Sequence, residues 1–448
     1  MANNPNVIVI PFNLQGHLTP LVKLSLCLVE RGVKITMLIP KYIHARLIDS
    51  LPDKEKGLNP FDIVTFSSEP QTDDNSVYEK VTAEFQKLVK KMNAQIAGVI
   101  ADDFFGQTFE VARIMGIPLR ASYNVGCAGF MAFATYIPKM IEMGVIDENG
   151  TPKSNDIIIW SPSMPGIEPQ HLLWLCMGDY MSPKQAFDLV VQSSRFRDSA
   201  DFVLCNTFHT LEYAAIAMVP NILTIGPLLK NSRLGNLWTE DSTCMSWIDQ
   251  QAANSVIYVS FGSVACLSQH QFDELALALD LLEKPFLWVV RSDDDVYGEP
   301  TTIFPRGFLD RVGHFGKIVS WAPQQKVLSH GSVACFVSHC GWNSTIEGVS
   351  NGVPFICWPY YCDQFFNVPY ITDVWKVGLG LNPDKDGIIS RVEITKKLNQ
   401  LLGDGEIKQN SLKLKEIAMK SMDQGGSTTK NLDFLVEQLK KTGTGAEH

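Results

Sequence analysis

The chain has 448 residues, of which 45% are apolar, and it carries a formal net charge of −10. Its length is enough for about two or three domains with sizeable cores. The acidic balance argues against nucleic acid or an anionic membrane as the main partner, because both select basic surfaces. A phosphate-bearing ligand would therefore have to be bound by local N–H groups and dipoles.

The cysteines and the N-terminal region favour a reducing compartment. The ten cysteines are scattered and form no C-x-x-C pair, so we expect free thiols in a cytoplasmic protein. The apolar run at residues 7–12 is too short for a signal peptide, and no segment is long and apolar enough to span a bilayer. We also expect a monomer with no stable membrane insertion.

The first half of the chain alternates short apolar runs with helical patterns. Residues 7–10 predict a strand buried on both faces, followed by a turn at 13–17, a helix that ends at Gly32 and a strand at 34–39. Further strands are predicted at 97–101 and 200–205, and further helices at 80–92, at 108–115 and from 210. We expect residues 123–174, rich in aromatic side chains, to be irregular.

A second alternating series begins at Ser255, after a polar linker. It predicts strands from residue 256 and near 285–291, a helix at 269–282 and a last helix at about 428–441. These patterns predict the following organisation: a first domain at 1–228, a linker at 229–254, a second domain at 255–425, and at 426–448 a helix that packs back toward the first domain, with a disordered tail.

Four predicted turns share one property: each follows the carboxyl end of a predicted strand. They lie at residues 13–17, 102–103, 261–263 and 339–344. Ligands of open α/β sheets bind at the carboxyl ends of the strands. The pattern therefore predicts an α/β protein with two doubly wound domains that face each other across a ligand-binding cleft.

Residues 321–364 carry the most specific pattern, WAPQQKVLSHGSVACFVSHCGWNSTIEGVSNGVPFICWPYYCDQ. A strand-like run at 334–338 leads into a glycine turn and then a helix-like segment, an arrangement typical of phosphate sites at helix N-termini. All 44 positions resemble the signature box of the plant secondary-product UDP-glycosyltransferases. The resemblance implies the GT-B fold, with two facing Rossmann-like domains and an inter-domain cleft, and an enzyme that uses a UDP-sugar donor. It also implies that the first domain, 1–228, binds the acceptor and that the second, 255–425, binds the UDP-sugar.

The resemblance also implies roles for individual residues of the donor site. One group would contact the nucleoside: Trp321, Ala322, Gln324 and Glu347. A second group would bind the diphosphate: Ser263, His339, Asn343 and Ser344. A third group would meet the sugar: Trp342, Asp363 and Gln364. A glutamine at the last position of the box is the form associated with glucose donors, so UDP-glucose is the expected co-substrate, with no cofactor and no metal.

The catalytic pair is expected in the first domain. Gly16-His17-Leu18-Thr19-Pro20 matches the family's catalytic-base turn, and an imidazole can take a proton from a hydroxyl near neutral pH. Asp102 occupies the position of the family's second catalytic residue, where it would orient the imidazole. The adjacent Asp103 remains an alternative for this role.

The implied reaction is a single displacement that gives a β-O-glucoside and UDP. Three alternatives remain open: another donor sugar, such as UDP-galactose, UDP-xylose or UDP-rhamnose; C-glycosylation instead of O-glycosylation; and a catalytically silent UDP-sugar-binding protein. Intact His17 and Asp102 argue against the last of these.

The acceptor should be a small apolar molecule with a hydroxyl group, such as a flavonoid, another phenol or a terpenoid. Candidate contacts outside the signature box are Asn13, Leu14, Phe104, Tyr123, Phe130 and Trp174. The family usually has Pro-Ala-Gln-Gly-His where this chain has Asn13-Leu14-Gln15-Gly16-His17. We therefore expect acceptor shape or regiochemistry to differ from the family norm.

Three further motifs favour other interpretations. The Asp-x-Asp sequence at 293–295 is typical of metal-dependent transferases, but its context favours a solvated loop. The G-x-S-x-G pattern at 348–352 is expected after a helix and before a strand, the reverse of a nucleophile elbow. Cys335, His339 and Cys340 lack the spacing of a zinc site.

Overall fold

The fold is described from a computed structural model of the chain. The structure describes residues 4–53, 55–57, 59–68, 74–92, 96–162, 164–178, 181–230, 232–291 and 303–443. The chain divides into two compact units: unit 1 comprises 1–155, 179–239 and 420–448, and unit 2 comprises 156–178 and 240–419. The Asp-x-Asp sequence at 293–295 and the last five residues of the predicted tail lie outside the described residues.

Unit 1 contains a seven-stranded parallel sheet of order β3-β2-β1-β4-β5-β6-β7. Its strands are β1 Asn6–Ile10, β2 Lys34–Pro40, β3 Asp62–Phe66, β4 Ile96–Asp102, β5 Leu119–Asn124, β6 Phe202–Cys205 and β7 Ile222–Thr224. The central strands are buried on both faces, as wholly apolar runs predict.

The helices of unit 1 follow its strands in α/β alternation. They are α1 Gln15–Val29, α2 Lys41–Asp49, α3 Asp74–Lys91, α4 Gln107–Ile114, α5 Ala128–Glu142, α6 Pro183–Arg197 and the short α7 Tyr213–Ile216. Two apolar clusters cover the two faces of the sheet, one built around α1 and the other around α3 and α4.

Helix α5 contradicts the prediction of an irregular segment at 123–174. It runs for 15 residues and buries eight of them. The segment carries no charged residue before Lys139, so it lacks the polar stripe by which an amphipathic helix is recognised. Its N-terminus is capped by the Cys127 sulfur, which accepts from the Phe130 N–H at 3.2 Å.

Unit 2 contains a six-stranded parallel sheet of order β10-β9-β8-β11-β12-β13. Its strands are β8 Val256–Ser260, β9 Phe286–Val289, β10 Gly316–Val319, β11 Val333–Ser338, β12 Phe355–Cys357 and β13 Gly378–Gly380. Its helices are α8 Cys244–Ile248, α9 Gln269–Leu282, α10 Phe308–Val312, α11 Gln324–Leu328, α12 Trp342–Asn351, α13 Gln364–Pro369, α14 Arg391–Gly403 and α15 Gly405–Met422. Both units are thus Rossmann-like, as predicted.

The last helix, α16 Ser427–Gly443, belongs to unit 1. It buries Leu432, Leu435, Val436 and Leu439 in the cluster around α1, each worth roughly 1.5–3 kcal/mol. Gly98 of β4 permits this close approach, because a Cβ there would lie 2.8 Å from the Leu439 side chain.

The bounds of the two units differ from the predicted domain bounds. The predicted linker 229–254 is divided, since residues up to 239 belong to unit 1 and residues from 240 to unit 2. Residues 156–178, predicted in the first domain, belong to unit 2. There the Cys362 N–H donates to the Cys176 carbonyl at 2.8 Å.

Strand order places the predicted site turns side by side at the carboxyl-terminal end of each sheet. Parallel neighbours β1 and β4 end in the turns that carry His17 and Asp102, and parallel neighbours β8 and β11 end in the turns that carry Ser263 and His339. The strand order changes direction at each of these pairs. Such switch points are where doubly wound sheets bind ligands.

Within the described ranges, no helix combines the length and the apolar character needed to cross a bilayer.

Candidate active site

His17 and Asp102 form a direct contact in unit 1. The Nδ1 atom of His17 lies 2.7 Å from Oδ2 of Asp102. Because a carboxylate oxygen accepts, the contact favours the tautomer of the neutral ring with the proton on Nδ1, in which Nε2 is the acceptor on the other side of the ring. The other carboxylate oxygen, Oδ1, accepts from the Phe104 N–H at 3.1 Å. The tautomer that this contact favours leaves one ring nitrogen unprotonated, as a general base requires.

Aromatic rings pack around the His17 imidazole. Its centroid lies 5.2 Å from the ring of Phe12 and 5.2 Å from the ring of Phe104, and those two rings meet edge to face at 5.1 Å. The His17 side chain is 12% exposed, whereas that of Asp102 is 1% exposed. Part of the His17 side chain thus reaches the surface, while its partner is buried.

Asp103 points into a different network. Its carboxylate accepts from the hydroxyl of Ser122 and, at 2.6 Å, from Nδ2 of Asn124, and Nη1 of Arg197 lies 3.7 Å away. Burial raises the pKa of Asp103, and Arg197 and the two hydrogen bonds oppose this shift. Of the two adjacent carboxylates, only Asp102 contacts His17.

Gln15 and Thr19 tie the first turn of α1 to the segment after β7. Gln15 Oε1 accepts from the Leu237 N–H at 2.8 Å, and its Nε2 donates to the Thr19 hydroxyl at 2.7 Å. That hydroxyl donates to the Gly235 carbonyl at 2.9 Å. Part of the predicted linker therefore supports the turn that carries His17.

The predicted acceptor contacts fall into two groups. Asn13, Leu14, Phe104 and Phe130 are partly exposed, and the first three lie beside His17 in sequence or in space. Tyr123 and Trp174 have no exposed surface, which is at odds with their predicted role. Tyr123 packs in the core around α1, and Trp174 lies in unit 2. An aromatic side chain in the sequence does not tell core packing from pocket lining.

In unit 2, two glycines enclose the His339 ring. A Cβ on Gly262 or on Gly341 would lie 2.6 Å from His339 Nε2, so both positions require glycine. Cys340, between His339 and Gly341, adopts a left-handed conformation with φ of 64°. Its N–H donates to the Ser338 hydroxyl at 3.0 Å. The turns after β8 and β11 are thus built around one imidazole.

His339 is neutral near physiological pH. Although the residue keeps some exposed surface, burial lowers its pKa to about 4, aided by the charge of Arg291 and opposed by the Ser260 backbone. Its contact with an anion would therefore be a hydrogen bond from an uncharged ring and not an ion pair.

Helix α12 begins at this turn and has no side-chain cap. Its N-cap is Gly341, which has no side chain to cap the first N–H groups. The first turn carries the buried Trp342 and Ser344 and the partly exposed Asn343. The N–H groups and dipole of such an end favour an anion.

Gln324 connects the predicted nucleoside and diphosphate contacts. Its Nε2 donates to Oγ of Ser344 at 2.9 Å and to Oε2 of Glu347 at 3.0 Å, and its Oε1 accepts from the Tyr258 hydroxyl at 3.2 Å. Trp321 is partly exposed, and its carbonyl accepts from the Asp241 N–H at 2.8 Å. Ala322, next to it, is buried.

Two of the three predicted sugar contacts, Asp363 and Gln364, follow β12, the neighbour of β11, whereas Trp342 begins α12. Gln364 Oε1 accepts from the N–H groups of Tyr360 and Tyr361 at 2.7 and 3.0 Å, which fixes the orientation of its amide. Asp363 Oδ2 accepts from Asn367 Nδ2 at 2.8 Å. Both side chains are therefore held by contacts within the same loop and helix.

Comparison with known proteins identifies the family. A sequence model described as "UDP-glucoronosyl and UDP-glucosyl transferase" matches residues 186–427. UDP-glycosyltransferase 83A1 of Arabidopsis thaliana is 37% identical over 463 residues, which cover 97% of each chain. The chain belongs to the plant UDP-glycosyltransferases.

Solved structures agree with the fold of this glycosyltransferase. UGT2 of Phytolacca americana, in complex with UDP-2fluoro-glucose and pterostilbene, is 29% identical, with a TM-score of 0.82 over 97% of this chain and 99% of that chain. A UDP-glucosyltransferase of Polygonum tinctorium capable of glucosylating indoxyl, in complex with 3,4-dichloroaniline, is 27% identical, with a TM-score of 0.83 over 98% and 100%. The chain is a glycosyltransferase with the GT-B fold.

Arg291 supports the loop that carries a predicted site residue, Ser263, and sequence reasoning missed this contact. It follows β9, and its guanidinium donates to the carbonyls of Ser263 at 2.5 Å, Ala265 at 2.9 Å and Val264 at 3.3 Å. In a trans peptide, the C=O and the N–H of the next residue point in opposite directions. Since these three carbonyls point toward Arg291, the N–H groups of the residues that follow them point away from it. Arg291 thereby fixes the loop that carries Ser263. In the sequence, only its place after an apolar strand could have indicated this role.

The remaining motifs concern the G-x-S-x-G pattern, metal binding and the cysteines of the glycosyltransferase. Ser350, the centre of the G-x-S-x-G pattern, lies inside α12 and is buried, and β12 follows, as predicted. Within the described ranges, no cluster of three or more His, Cys, Asp or Glu side chains could hold a metal ion. All ten cysteines lie in the described part of the chain and are free thiols.

Proposed function

We propose that this UDP-glycosyltransferase moves glucose from UDP-glucose to a hydroxyl of a small apolar acceptor and inverts the anomeric configuration. The observation that carries the proposal is the 2.7 Å contact between His17 Nδ1 and Asp102 Oδ2 at the ends of two neighbouring strands. It supplies an oriented base in a protein whose family transfers sugars from UDP.

His17 acts as the general base. Its Nε2 takes the proton of the acceptor hydroxyl while the acceptor oxygen forms a bond to C1 of glucose, and the bond between C1 and the UDP oxygen breaks. Asp102 stabilises the imidazolium that forms, which later releases its proton to solvent. Attack from the face opposite UDP converts an α-linked donor into a β-glucoside. General-base catalysis of this kind contributes about 10²–10⁴-fold.

Donors in the turns after β8 and β11 stabilise the negative charge on the departing UDP. The N-terminus of α12 offers oriented N–H groups, Asn343 and Ser344 lie in its first turn, and the neutral His339 ring offers a hydrogen bond. Prearranged dipoles of this kind lose little energy to reorganisation during the reaction. The proposal assigns this stabilisation to protein groups, without a metal or a cofactor.

Glucose is the favoured donor sugar for two reasons. Gln364 ends the signature box, and its amide is oriented by two backbone N–H groups. The Phytolacca protein was solved with UDP-2fluoro-glucose, and the Polygonum protein is a glucosyltransferase.

An aromatic acceptor with a hydroxyl group fits the surroundings of His17. The rings of Phe12 and Phe104 pack against the imidazole, and Asn13 and Leu14 precede α1. Pterostilbene is bound in the Phytolacca structure, and indoxyl is a compound that the Polygonum enzyme can glucosylate. Both are flat aromatic compounds with a hydroxyl group. A phenol or flavonoid is therefore the first acceptor class to test, and a terpenoid the second.

A competition experiment tests donor and acceptor together. The purified protein is given equal concentrations of UDP-glucose, UDP-galactose, UDP-xylose and UDP-rhamnose with one acceptor from a panel of flavonoids, simple phenols, steroids and diterpenoids. We expect acceptor-dependent UDP release and a glucoside as the main product. A different sugar on the product would overturn the donor assignment, and a carbon-linked sugar would overturn O-glycosylation. UDP-glucose binding without any transfer would indicate a silent binding protein.

A further inference from the structure

Asn367 lies three residues beyond the signature box and is fully buried in α13. Its Nδ2 makes two hydrogen bonds, to the carbonyl of Cys340 at 2.9 Å and to Oδ2 of Asp363 at 2.8 Å. One amide group thus joins the turn after β11 to the carboxylate predicted to meet the sugar.

The orientation of this amide is determined by its neighbours. Both partners of Nδ2 are oxygen atoms that only accept, so a flipped amide would place Oδ1 against two acceptors. In the orientation found, Oδ1 is buried and has no hydrogen-bond partner within the described residues. A buried carbonyl without a hydrogen-bond partner is unfavourable. The protein tolerates it here because Nδ2 of the same amide donates two hydrogen bonds.

The Cys340 carbonyl lies at a strained point of the turn. Cys340 has a φ of 64°, which side-chain-bearing residues rarely adopt. Its carbonyl accepts from the Thr345 hydroxyl at 3.2 Å as well as from Asn367. Since Cys340 stands between His339 and Gly341, the direction of its carbonyl is coupled to the peptide that starts α12.

We propose that Asn367 is a positioning residue that sets the distance between the diphosphate-binding turn and the sugar-binding Asp363. This inference rests on the proposed function, in which the two features bind different parts of one UDP-sugar. UDP alone uses only the turn. Asn367 should therefore matter more for a ligand that spans both features than for UDP.

The test compares these two ligands in Asn367→Ala. We expect kcat/KM for UDP-glucose to fall by roughly 10–100-fold, the effect of losing a hydrogen bond to a charged group. We expect the inhibition constant of UDP to change by less than about threefold. Ser411→Ala is the control, because it removes another buried polar side chain, on α15, whose hydroxyl donates to the Ile407 carbonyl at 2.9 Å. It should change neither quantity.

A purely structural role would weaken UDP and UDP-glucose in parallel, or would lower the melting temperature without changing their ratio, and either result would overturn the proposal. If Asn367→Ala does not fold, Asn367→Ser is judged by the same ratio. A double-mutant cycle with Asp363→Ala adds a second readout, because an effect exerted through Asp363 must be non-additive.

Failure of the proposed function is distinguishable from failure of this inference. If the wild-type protein transfers no glucose, the proposed function fails. The role of Asn367 can still be read from the thermal stabilisation that UDP and UDP-glucose each give the wild-type and variant proteins. Selective loss of the UDP-glucose effect supports the inference, and parallel loss overturns it.

Discussion

Replacing His17 by alanine is expected to lower kcat for glucose transfer by about 10²–10⁴-fold. The variant loses Nε2, the atom that accepts the acceptor proton, while the donor contacts in unit 2 are untouched. KM for UDP-glucose should therefore stay within a few-fold of the wild-type value. Acceptor-dependent UDP release at saturating UDP-glucose measures the effect.

His44→Ala is the matched control for this experiment. His44 is a partly exposed histidine on α2 of the same unit, and its removal should leave kcat within about twofold, as is usual for a surface substitution. Equal rates for the wild-type protein and His17→Ala, with His44→Ala unchanged, would show that His17 is not the base.

Asp102→Asn is expected to lower kcat by about 10²–10⁴-fold, because the second catalytic residue acts through the imidazole. The asparagine has the same shape, and its amide oxygen can still accept from the Phe104 N–H. It carries no charge to stabilise the imidazolium and can present an N–H to Nδ1, which favours the wrong tautomer. We expect folding, measured by the melting temperature, to change little.

Asp103→Asn gives the matched comparison at the adjacent position. This substitution leaves Arg197 without its buried carboxylate partner, so we expect a lower melting temperature and a kcat within a few-fold of the wild-type value. The reverse pattern, with catalysis lost in Asp103→Asn and retained in Asp102→Asn, would exchange the roles of the two residues.

Sequence patterns located the four strand ends that lead into the predicted site turns, because these strands are short, largely apolar runs. They could not separate Asp102 from Asp103 by chemistry, since both follow the same predicted strand at 97–101. Successive side chains of an extended segment point to opposite sides, and the structure shows which of the two faces His17.

The features that the sequence did not reveal depend on long-range contacts or on missing polarity. Gln15 and Leu237 are 222 positions apart, and Arg291 binds a loop that precedes it by 25–28 positions. Neither contact leaves a local pattern. Helix α5 was missed because its sequence has almost no polar face. Tyr123 and Trp174 were predicted as acceptor contacts, and their burial was missed because residue type does not reveal it.

The anomeric configuration of the product tests the single-displacement mechanism most directly. The wild-type protein is incubated with UDP-α-glucose and a phenolic acceptor, and the product isolated at low conversion is examined by proton NMR. The mechanism with His17 as base predicts a β-O-glucoside formed together with one equivalent of UDP. An α-glucoside would contradict it, because retention requires a second displacement or attack from the face that UDP occupies.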